Sequence, residues 1–310
     1  MGLFQKLIET YDNMESLAGK EIEGYRIPLP PIGFITSNVK LEITITENGE
    51  FVKAELIFDT IKNRKTNKDI QIAKKIIIPV TQKSAVRSGT FAKCLPHPLC
   101  DKLMFMCPEY EESYDAYLHQ LEDWCNSEFT CPKIKAILEY VKKGTIRNDI
   151  SSIDRVKDDD FVCWRVISSD CEEPEEVWRA PSVWDSYTKY YQNKLDMCEE
   201  KGLDYITGEF VACIKKTSKI SVTDKPKSLI SSNDTRNFTY RGNFINGTEA
   251  LTVGDISSQK ALNTLQWLLT NTGVAQGTRK FICWNPRGIE VPDLMSSLLP
   301  NINNTEELPT

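Results

Sequence analysis

Apolar residues recur along the chain at two spacings, and each spacing predicts one kind of element. Apolar side chains three or four residues apart predict a first helix from Leu3 to Met14, which ends before Gly19 and is expected to pack on a sheet. A proline opens and a glycine closes a second helix, from Pro132 to Gly144. The same spacing predicts further helices over 114–125, 184–198 and 262–273.

Strict alternation of apolar and polar residues predicts strands. It runs from Val39 to Thr46, and Asn48-Gly49 then supplies a tight turn before a second strand over 51–58, which together predict a β-hairpin. Residues 59–75 are polar and are predicted to form a connecting loop. Short strands are predicted at 76–80, 161–167, 210–214 and 280–284.

These elements predict an α+β fold, with a mixed, mainly antiparallel sheet and packed helices in two lobes. Residues 148–160 are polar and acidic and mark the expected boundary between an N-terminal lobe, 1–150, and a second lobe, 151–300. Residues 301–310 are polar and uncapped, so we expect a linker there.

Composition restricts the class of protein. With 310 residues, of which 40% are hydrophobic, the chain can build a substantial core. It contains no apolar run long enough to cross a bilayer, and its first residues lack the pattern of a signal peptide, so we expect a cytoplasmic protein. Its ten cysteines are scattered and are expected to be reduced and mostly buried.

The net charge of −6 conceals a strong segregation of charge. Residues 109–128 carry seven acidic and no basic side chains, which is typical of a solvated face. Residues 62–93 carry nine basic side chains and one acidic one, which is the footprint of a phosphate-binding patch. The candidate phosphate contacts in this basic stretch are Lys62, Arg64, Lys65, Lys68, Lys74 and Lys75.

Residues 233–244 form the most distinctive polar stretch, because arginines, asparagines and aromatics alternate in it. Arg236 and Arg241 can meet phosphates with forked donors, while Phe238 and Tyr240 offer faces for bases. Asn233 and Asn237 supply amides that can read base edges. The same spacing also fits a bulged strand whose aromatics face the core, and the residues alone leave both interpretations open.

Catalytic and metal sites have little support in the sequence. The best metal cluster, Cys94, His97, Cys100 and Cys107, contains no Cys-x-x-Cys pair and lies on a stiff Pro-rich segment. His97 and His119 are the only histidines, and neither lies in a nucleophile motif. Asp158-Asp159-Asp160 could hold metals for nuclease chemistry, but consecutive carboxylates usually face water. We therefore expect a protein without enzymatic activity, cofactor or metal site.

An ordered set of motifs covers nearly the whole chain. In the N-terminal half they are Gly2-Leu3-Phe4-Gln5-Lys6, Leu41-Glu42-Ile43-Thr44-Ile45, Ile76-Ile77-Ile78-Pro79-Val80-Thr81, Pro96-His97-Pro98-Leu99-Cys100-Asp101 and Pro132-Lys133-Ile134-Lys135-Ala136. In the C-terminal half they are Val162-Cys163-Trp164-Arg165-Val166, Thr207-Gly208-Glu209, residues 230–244, Ser258-Gln259-Lys260-Ala261 and Cys283-Trp284-Asn285-Pro286-Arg287-Gly288. In this order they resemble the large subunit of the type I-C CRISPR surveillance complex, Cascade.

That resemblance implies a non-catalytic subunit that recognises the motif flanking the target, beside the 5′ end of the guide RNA. Its implied partners are the backbone subunits, the target double-stranded DNA and a separately recruited helicase-nuclease. On this interpretation the asparagines and arginines of 233–241 read or clamp the flanking duplex, Phe238 and Tyr240 stack or wedge, and Gln259 and Lys260 contact a groove or a phosphate.

Family members are longer, so the resemblance implies that this chain is an N-terminal portion. The family often has a cysteine before Thr/Ser-Gly-Glu and a His-Pro-Lys after it. Here Asp204 and Thr217-Ser218-Lys219 stand in those places, which argues against a zinc site or a catalytic site there. A pure assembly module without DNA contact is the alternative, and a metal-dependent nuclease is a third.

Overall fold

The computed structural model describes residues 2–62, 68–87, 94–168, 173–220, 227–230, 252–276 and 279–287. Its helices are α1 Leu3–Met14, α2 Gln82–Ala85, α3 Glu111–Cys125, α4 Pro132–Lys142, α5 Ile146–Asp149, α6 Pro181–Asp196 and α7 Asp255–Asn271. Its strands are β1 Phe34–Val39, β2 Leu41–Thr46, β3 Phe51–Leu56, β4 Phe58–Lys62, β5 Asp69–Pro79, β6 Val162–Ile167, β7 Lys201–Leu203, β8 Phe210–Ala212, β9 Lys219–Ile220, β10 Lys227–Ser228, β11 Val274–Gln276 and β12 Arg279–Phe281. The predicted α+β class is confirmed.

Two three-stranded sheets form the β structure around which the helices pack. One has the order β1-β5-β4, with antiparallel pairs, and the other has the order β3-β2-β6. In the second sheet β2 is antiparallel to β3 and parallel to β6. The shorter strands form antiparallel pairs of β7 with β8, β9 with β10 and β11 with β12.

The predicted hairpin is confirmed as β2 and β3. Gly49 has φ +71°, and its N–H donates to the carbonyl of Thr46 over 2.9 Å, so the turn uses the backbone freedom that glycine provides. The first strand begins later than predicted. The chain changes sheets at Lys40, and residues before it belong to β1, which pairs with β5 instead. Alternation continues across the break, so periodicity alone could not reveal the change of partner.

The prediction of a loop over 59–75 is wrong for the described residues. Most of that stretch belongs to β4 and to the first half of β5, which pair antiparallel from Phe58 with Ala73 to Lys62 with Asp69. The short strand predicted at 76–80 is the buried end of the same β5. This half of the hairpin is largely exposed, and its short alternation of Ile70 and Ile72, 38% and 39% accessible, lies within a polar stretch that resembles a loop.

The first helix packs on another helix, α7, and not on a sheet as expected. Leu7 and Tyr11 are buried on α1, and Lys260 of α7 bonds Asp12 over 2.6 Å. The predicted helices over 114–125, from Pro132 and over 184–198 correspond to α3, α4 and α6, and the helix predicted over 262–273 corresponds to the larger part of α7. The helical spacing thus identified the elements, while their partners depend on long-range packing.

One buried core joins the described residues on both sides of 148–160. It includes side chains of α1, α3, α4, α5, α6 and α7, and β6 pairs with β2 across the predicted lobe boundary. The boundary itself stays a prediction. All described cysteines are free, and five of the nine are buried. Among the described residues no helix combines the length and apolar character needed to cross a bilayer.

Candidate nucleic-acid interface

The hairpin of β4 and β5 positions the predicted basic stretch. Lys62 ends β4, Lys68 is exposed just before β5, and Lys74 and Lys75 are partly buried within β5. Neighbouring strand residues alternate between the two faces of a sheet, so Lys74 and Lys75 project to opposite sides. Arg64 and Lys65 lie outside the described residues, and their predicted phosphate contacts stay predictions.

The amine of Lys75 lies near two other cations, Lys280 and Arg26. Burial lowers the pKa of its amine, and the nearby charges of Lys280 and Arg26 lower that pKa further. Within the described part of the chain, no carboxylate lies within ion-pair distance of its Nζ. The one acidic contact is through the backbone, where the Lys75 N–H donates to Asp59 Oδ2 over 3.2 Å. A bound anion would therefore offset both the cost of burying this charged amine and its repulsion by the two nearby cations.

Lys75 lines a cavity of about 560 Å³, which we call the basic groove. Its walls come from β1, β9, α7 and the segments around residues 84–87 and 97–102. Four of its lining side chains are basic and none is acidic; the basic ones are Lys75, Arg87, Lys102 and Lys219. In a chain of net charge −6, a cavity lined by one sign of charge favours an anionic ligand.

Two of the four basic side chains are already neutralised by neighbouring carboxylates. Arg87 makes a forked pair with Asp101, with Nη1 to Oδ2 at 2.6 Å and Nη2 to Oδ1 at 2.5 Å. Lys102 Nζ lies 2.5 Å from Asp159 Oδ1. Lys219 is exposed and, like Lys75, has no ion-pair partner among the described residues. Lys75 and Lys219 are therefore the two groove cations that can accept an anion without breaking an existing pair.

Aromatic and polar side chains complete the groove. Phe161 is partly buried, and its ring centroid lies 6.1 Å from that of His97. Trp267 is 2% exposed, and its Nε1 has no hydrogen-bond partner among the described residues. Thr36 and Asn38 of β1, which share a face of the sheet with Lys75, contribute a hydroxyl and an amide group. The lining therefore combines donors for phosphate with an aromatic face, which is the combination that single-stranded nucleic acids require.

His97 contributes no charge to the groove at neutral pH. Burial lowers the pKa of its imidazole to about 4, and the nearby Arg87 charge lowers it as well, while Asp101 raises it. Its Nδ1 lies 2.9 Å from Ser84 Oγ. This histidine is thus neutral and engaged in packing at pH 7.

Gln259 and Lys260 have intramolecular partners. Gln259 Oε1 accepts from the Gly33 N–H at 2.7 Å, and its Nε2 lies 2.7 Å from Tyr191 Oη and 2.6 Å from Asp255 Oδ1. Lys260 pairs with Asp12 and lies 5.7 Å from the ring centroid of Tyr11. These contacts attach α7 to the rest of the core. They satisfy the polar groups of both side chains within the protein, so neither side chain needs a ligand. The predicted contact with a groove or a phosphate stays a prediction.

The predicted aromatic and basic segment lies outside the described residues. It contains Asn233, Arg236, Asn237, Phe238, Tyr240 and Arg241, whose assigned roles stay predictions. The last described residue before it is Ile230, whose N–H donates to Thr217 Oγ1 over 3.1 Å. Ser218 and Lys219, which follow Thr217, line the basic groove. Ile230 is therefore bonded to the residue that precedes the groove residue Ser218.

Two of the cysteines considered for metal binding have other partners. Cys94 Sγ lies 2.8 Å from Glu112 Oε1, and Cys107 Sγ lies 3.2 Å from the Leu103 carbonyl. The pKa of the Cys107 thiol is raised to about 12, mainly because the thiol is buried. In the described ranges no three His, Cys, Asp or Glu side chains converge as metal ligands would.

The three consecutive aspartates diverge. Asp158 accepts from Tyr110 and pairs with Arg147, Asp159 pairs with Lys102, and Asp160 pairs with Lys40 at 2.8 Å. Three different cations therefore neutralise them in three directions. This arrangement stabilises the contacts of residues 158–160 with neighbouring segments and differs from the convergent carboxylates of a two-metal nuclease.

Lys219 and Trp267 were not assigned to the site from the sequence. These residues are far apart in the chain, and each lies in an unremarkable local context, so no window of the sequence shows that they line one groove with Lys75. The sequence named Lys219 only within Thr217-Ser218-Lys219, which stands where the resembled family has His-Pro-Lys. Tertiary structure alone brings these side chains together.

Comparison with protein-family models gives a match that covers nearly the whole chain. The matching family is described as CRISPR-associated protein (Cas_Csd1), and the match extends over residues 7–308. No curated protein matches the chain.

Proposed function

The chain belongs to the Cas_Csd1 family of CRISPR-associated proteins, and we propose that it is the non-catalytic large subunit of a type I-C RNA-guided DNA surveillance complex. In this role it recognises the motif flanking the target and holds the duplex or the displaced strand. The observation that carries the proposal is the basic groove, in which Lys75 and Lys219 lack carboxylate partners among the described residues.

Guide RNA and protein divide the work of recognition in such complexes. Pairing with the guide RNA reads the target sequence, so the protein needs only to read a short flanking motif and to hold the nucleic-acid backbone. Lys68, Lys74 and Lys75 supply contacts with phosphates that do not depend on sequence. The arginines and asparagines of 233–241 supply the donors that discriminate between bases.

The proposed partners follow from this role. They are the backbone subunits, the 5′ end of the guide RNA, the target double-stranded DNA and a separately recruited helicase-nuclease that performs the cutting, all in the cytoplasm. The proposal assigns no catalytic step to this chain, because the carboxylates and the imidazole considered for catalysis are engaged in internal pairs and packing.

An assembly module without DNA contact is the second candidate, and one surface favours it. The hairpin of β7 and β8 exposes Leu203, Tyr205 and Phe210, of which Phe210 is 70% accessible. Leu203 and Phe210 are cross-strand neighbours, so they form one apolar surface. Exposed apolar surfaces of this kind are typical of protein–protein contacts.

The test is a pull-down of guide-loaded backbone complex with three forms of this chain, followed by binding to duplexes with and without the flanking motif. The forms are wild type, Arg241→Ala, and a Lys68→Ala, Lys74→Ala, Lys75→Ala triple variant. We expect Arg241→Ala to weaken discrimination of the motif. The lysine variant should weaken binding to all duplexes alike and lower the salt slope by about 1 for each phosphate that its lysines no longer neutralise.

Lys135→Ala is the matched control, since Lys135 is exposed on α4 away from the groove. If the wild-type chain associates with the backbone complex but does not change its binding to DNA, the assembly module is favoured. Identical losses in both variants across all duplexes would refute the division of labour between reading and holding. Metal-dependent cleavage by the isolated chain would instead establish the nuclease alternative.

A further inference from the structure

The basic groove has a shape that distinguishes between forms of nucleic acid. It is a recessed cavity of about 560 Å³. A duplex presents its phosphates on a convex surface and keeps its bases stacked inside, so it can touch the rim of such a cavity but cannot fill it. An unpaired nucleotide can enter, because its base is free to leave the stack.

The lining also matches the two parts of a nucleotide. Lys75 and Lys219 are the groove cations without ion-pair partners among the described residues, so they can take a phosphate. Phe161 lines the same cavity and remains partly exposed, so its ring can take the face of a base. Any base offers such a face, which makes this contact independent of sequence.

The cavity wall adds polar groups beside the aromatic ring. β1 is an edge strand, because in its sheet it pairs with β5 alone. Its residues Thr36 and Asn38 line the groove on the same face of the sheet as Lys75, and no hydrogen bond of these two side chains is found among the described residues. Hydroxyl and amide groups at an unpaired strand edge can bond the polar edge of a base.

We propose that the basic groove binds an unpaired nucleotide of a single-stranded nucleic acid, with phosphates at Lys75 and Lys219 and the base against Phe161. The inference rests on the proposed function in taking nucleic acid as the ligand, and it adds that this site takes a single strand in preference to a duplex.

The experiment measures binding of the 310-residue chain to fluorescein-labelled strands by anisotropy over about 50–200 mM salt. The probes are oligothymidylate and oligouridylate of about ten nucleotides, an abasic deoxyribose-phosphate strand of the same length, and a duplex. The two base-containing strands separate a DNA ligand from an RNA ligand. The abasic strand keeps the phosphates and lacks the bases.

Two variants divide the site into its phosphate and base parts. Lys75→Ala with Lys219→Ala should lower the salt slope for every single strand by about 1.4, or about 0.7 for each phosphate that is no longer neutralised. Phe161→Leu retains an apolar side chain and should weaken binding of the base-containing strands about fivefold while leaving the abasic strand unchanged. Lys135→Ala again controls for the removal of charge, and thermal unfolding checks that each variant is folded.

Tighter binding of a base-containing single strand than of duplex, with both variant effects, supports the proposal. An unchanged salt slope in the double lysine variant, equal or tighter binding of duplex, or equally weakened binding of the abasic strand in Phe161→Leu overturns it. A different result would refute the proposed function, namely a guide-loaded complex whose binding to duplex DNA is the same with and without this chain. The isolated chain can pass the single-strand test when the complex fails its own, so the two failures are distinguishable.

Discussion

His97 makes the stability of the protein sensitive to mildly acidic pH. It is buried, and its backbone N–H donates to Asp101 Oδ2 over 2.6 Å. Burial lowers the pKa of its imidazole to about 4, whereas a histidine in the unfolded chain titrates near 6.5. Between these two values the unfolded chain binds the proton that the folded chain excludes. Stability is therefore lost as the pH falls through this window.

The magnitude follows from the separation of the two pKa values. At 1.36 kcal/mol for each pKa unit, linkage gives a loss in the free energy of unfolding of about 2 kcal/mol on going from neutral pH to about pH 5. The loss reaches about 3 kcal/mol near pH 4. Little discount for solvent screening applies, because only 6% of this side chain is exposed.

The perturbation is His97→Asn, which keeps a polar group near Ser84 Oγ but cannot titrate in this range. Urea unfolding at about pH 7.5 and about pH 5 gives the free energy of unfolding of each protein. The asparagine variant should start less stable, because the smaller side chain leaves space, and should then lose about 2 kcal/mol less than wild type over the interval. Carboxylates that titrate contribute equally to both proteins, so the difference isolates the imidazole.

His119 provides the control, because it is the only other histidine and its side chain is exposed on α3. His119→Asn makes the same replacement at an exposed position and is measured at both pH values beside His97→Asn. The reasoning would be refuted if wild type and His97→Asn lost the same free energy between the two pH values.

Three further predictions concern stability. Asp101→Asn replaces a buried carboxylate that accepts four hydrogen bonds and should lower the free energy of unfolding by about 3 kcal/mol. Asp159→Asn, at a side chain that is 77% exposed, should lower it by less than about 1 kcal/mol, and urea unfolding measures both. Trp267→Phe removes a buried donor that has no partner among the described residues and should lower the melting temperature less than Trp164→Phe, which breaks a 2.6 Å bond to a carbonyl. Gly49→Ala places a Cβ 2.7 Å from a backbone oxygen at φ +71° and should cost about 2 kcal/mol or more, and an unchanged melting temperature would contradict this.

Local patterns predicted those parts of the fold that depend on short-range rules. The turn at Gly49 and the proline at the start of α4 are properties of a few consecutive residues, and both were placed correctly. The spacing of leucines in α7 also predicted that helix. Each of these signals acts within one or two turns or within one hairpin, so the sequence contains all the information it needs.

The paired strands of residues 58–79 show where such signals end. Their outer half contains a short alternation, in which Ile70 and Ile72 stand between polar residues, but the alternation is brief and polar, lysine-rich residues surround it, so the stretch was predicted as a loop. The strand is stabilised by pairing with β4 and, farther along, with β1. Pairing between strands is a property of two segments, and neither segment reveals it alone.

The candidate site divides in the same way. The sequence by itself determined the α+β class, the family resemblance and the basic stretch that contains Lys74 and Lys75, because these depend on composition, periodicity and ordered motifs. Only the tertiary structure decided that Lys75 shares one groove with Lys219 and Phe161, and that Gln259 and Lys260 hold α7 in place. The reason is that a binding surface joins side chains far apart in the chain, and their proximity depends on how the strands and helices pack rather than on their neighbours in sequence.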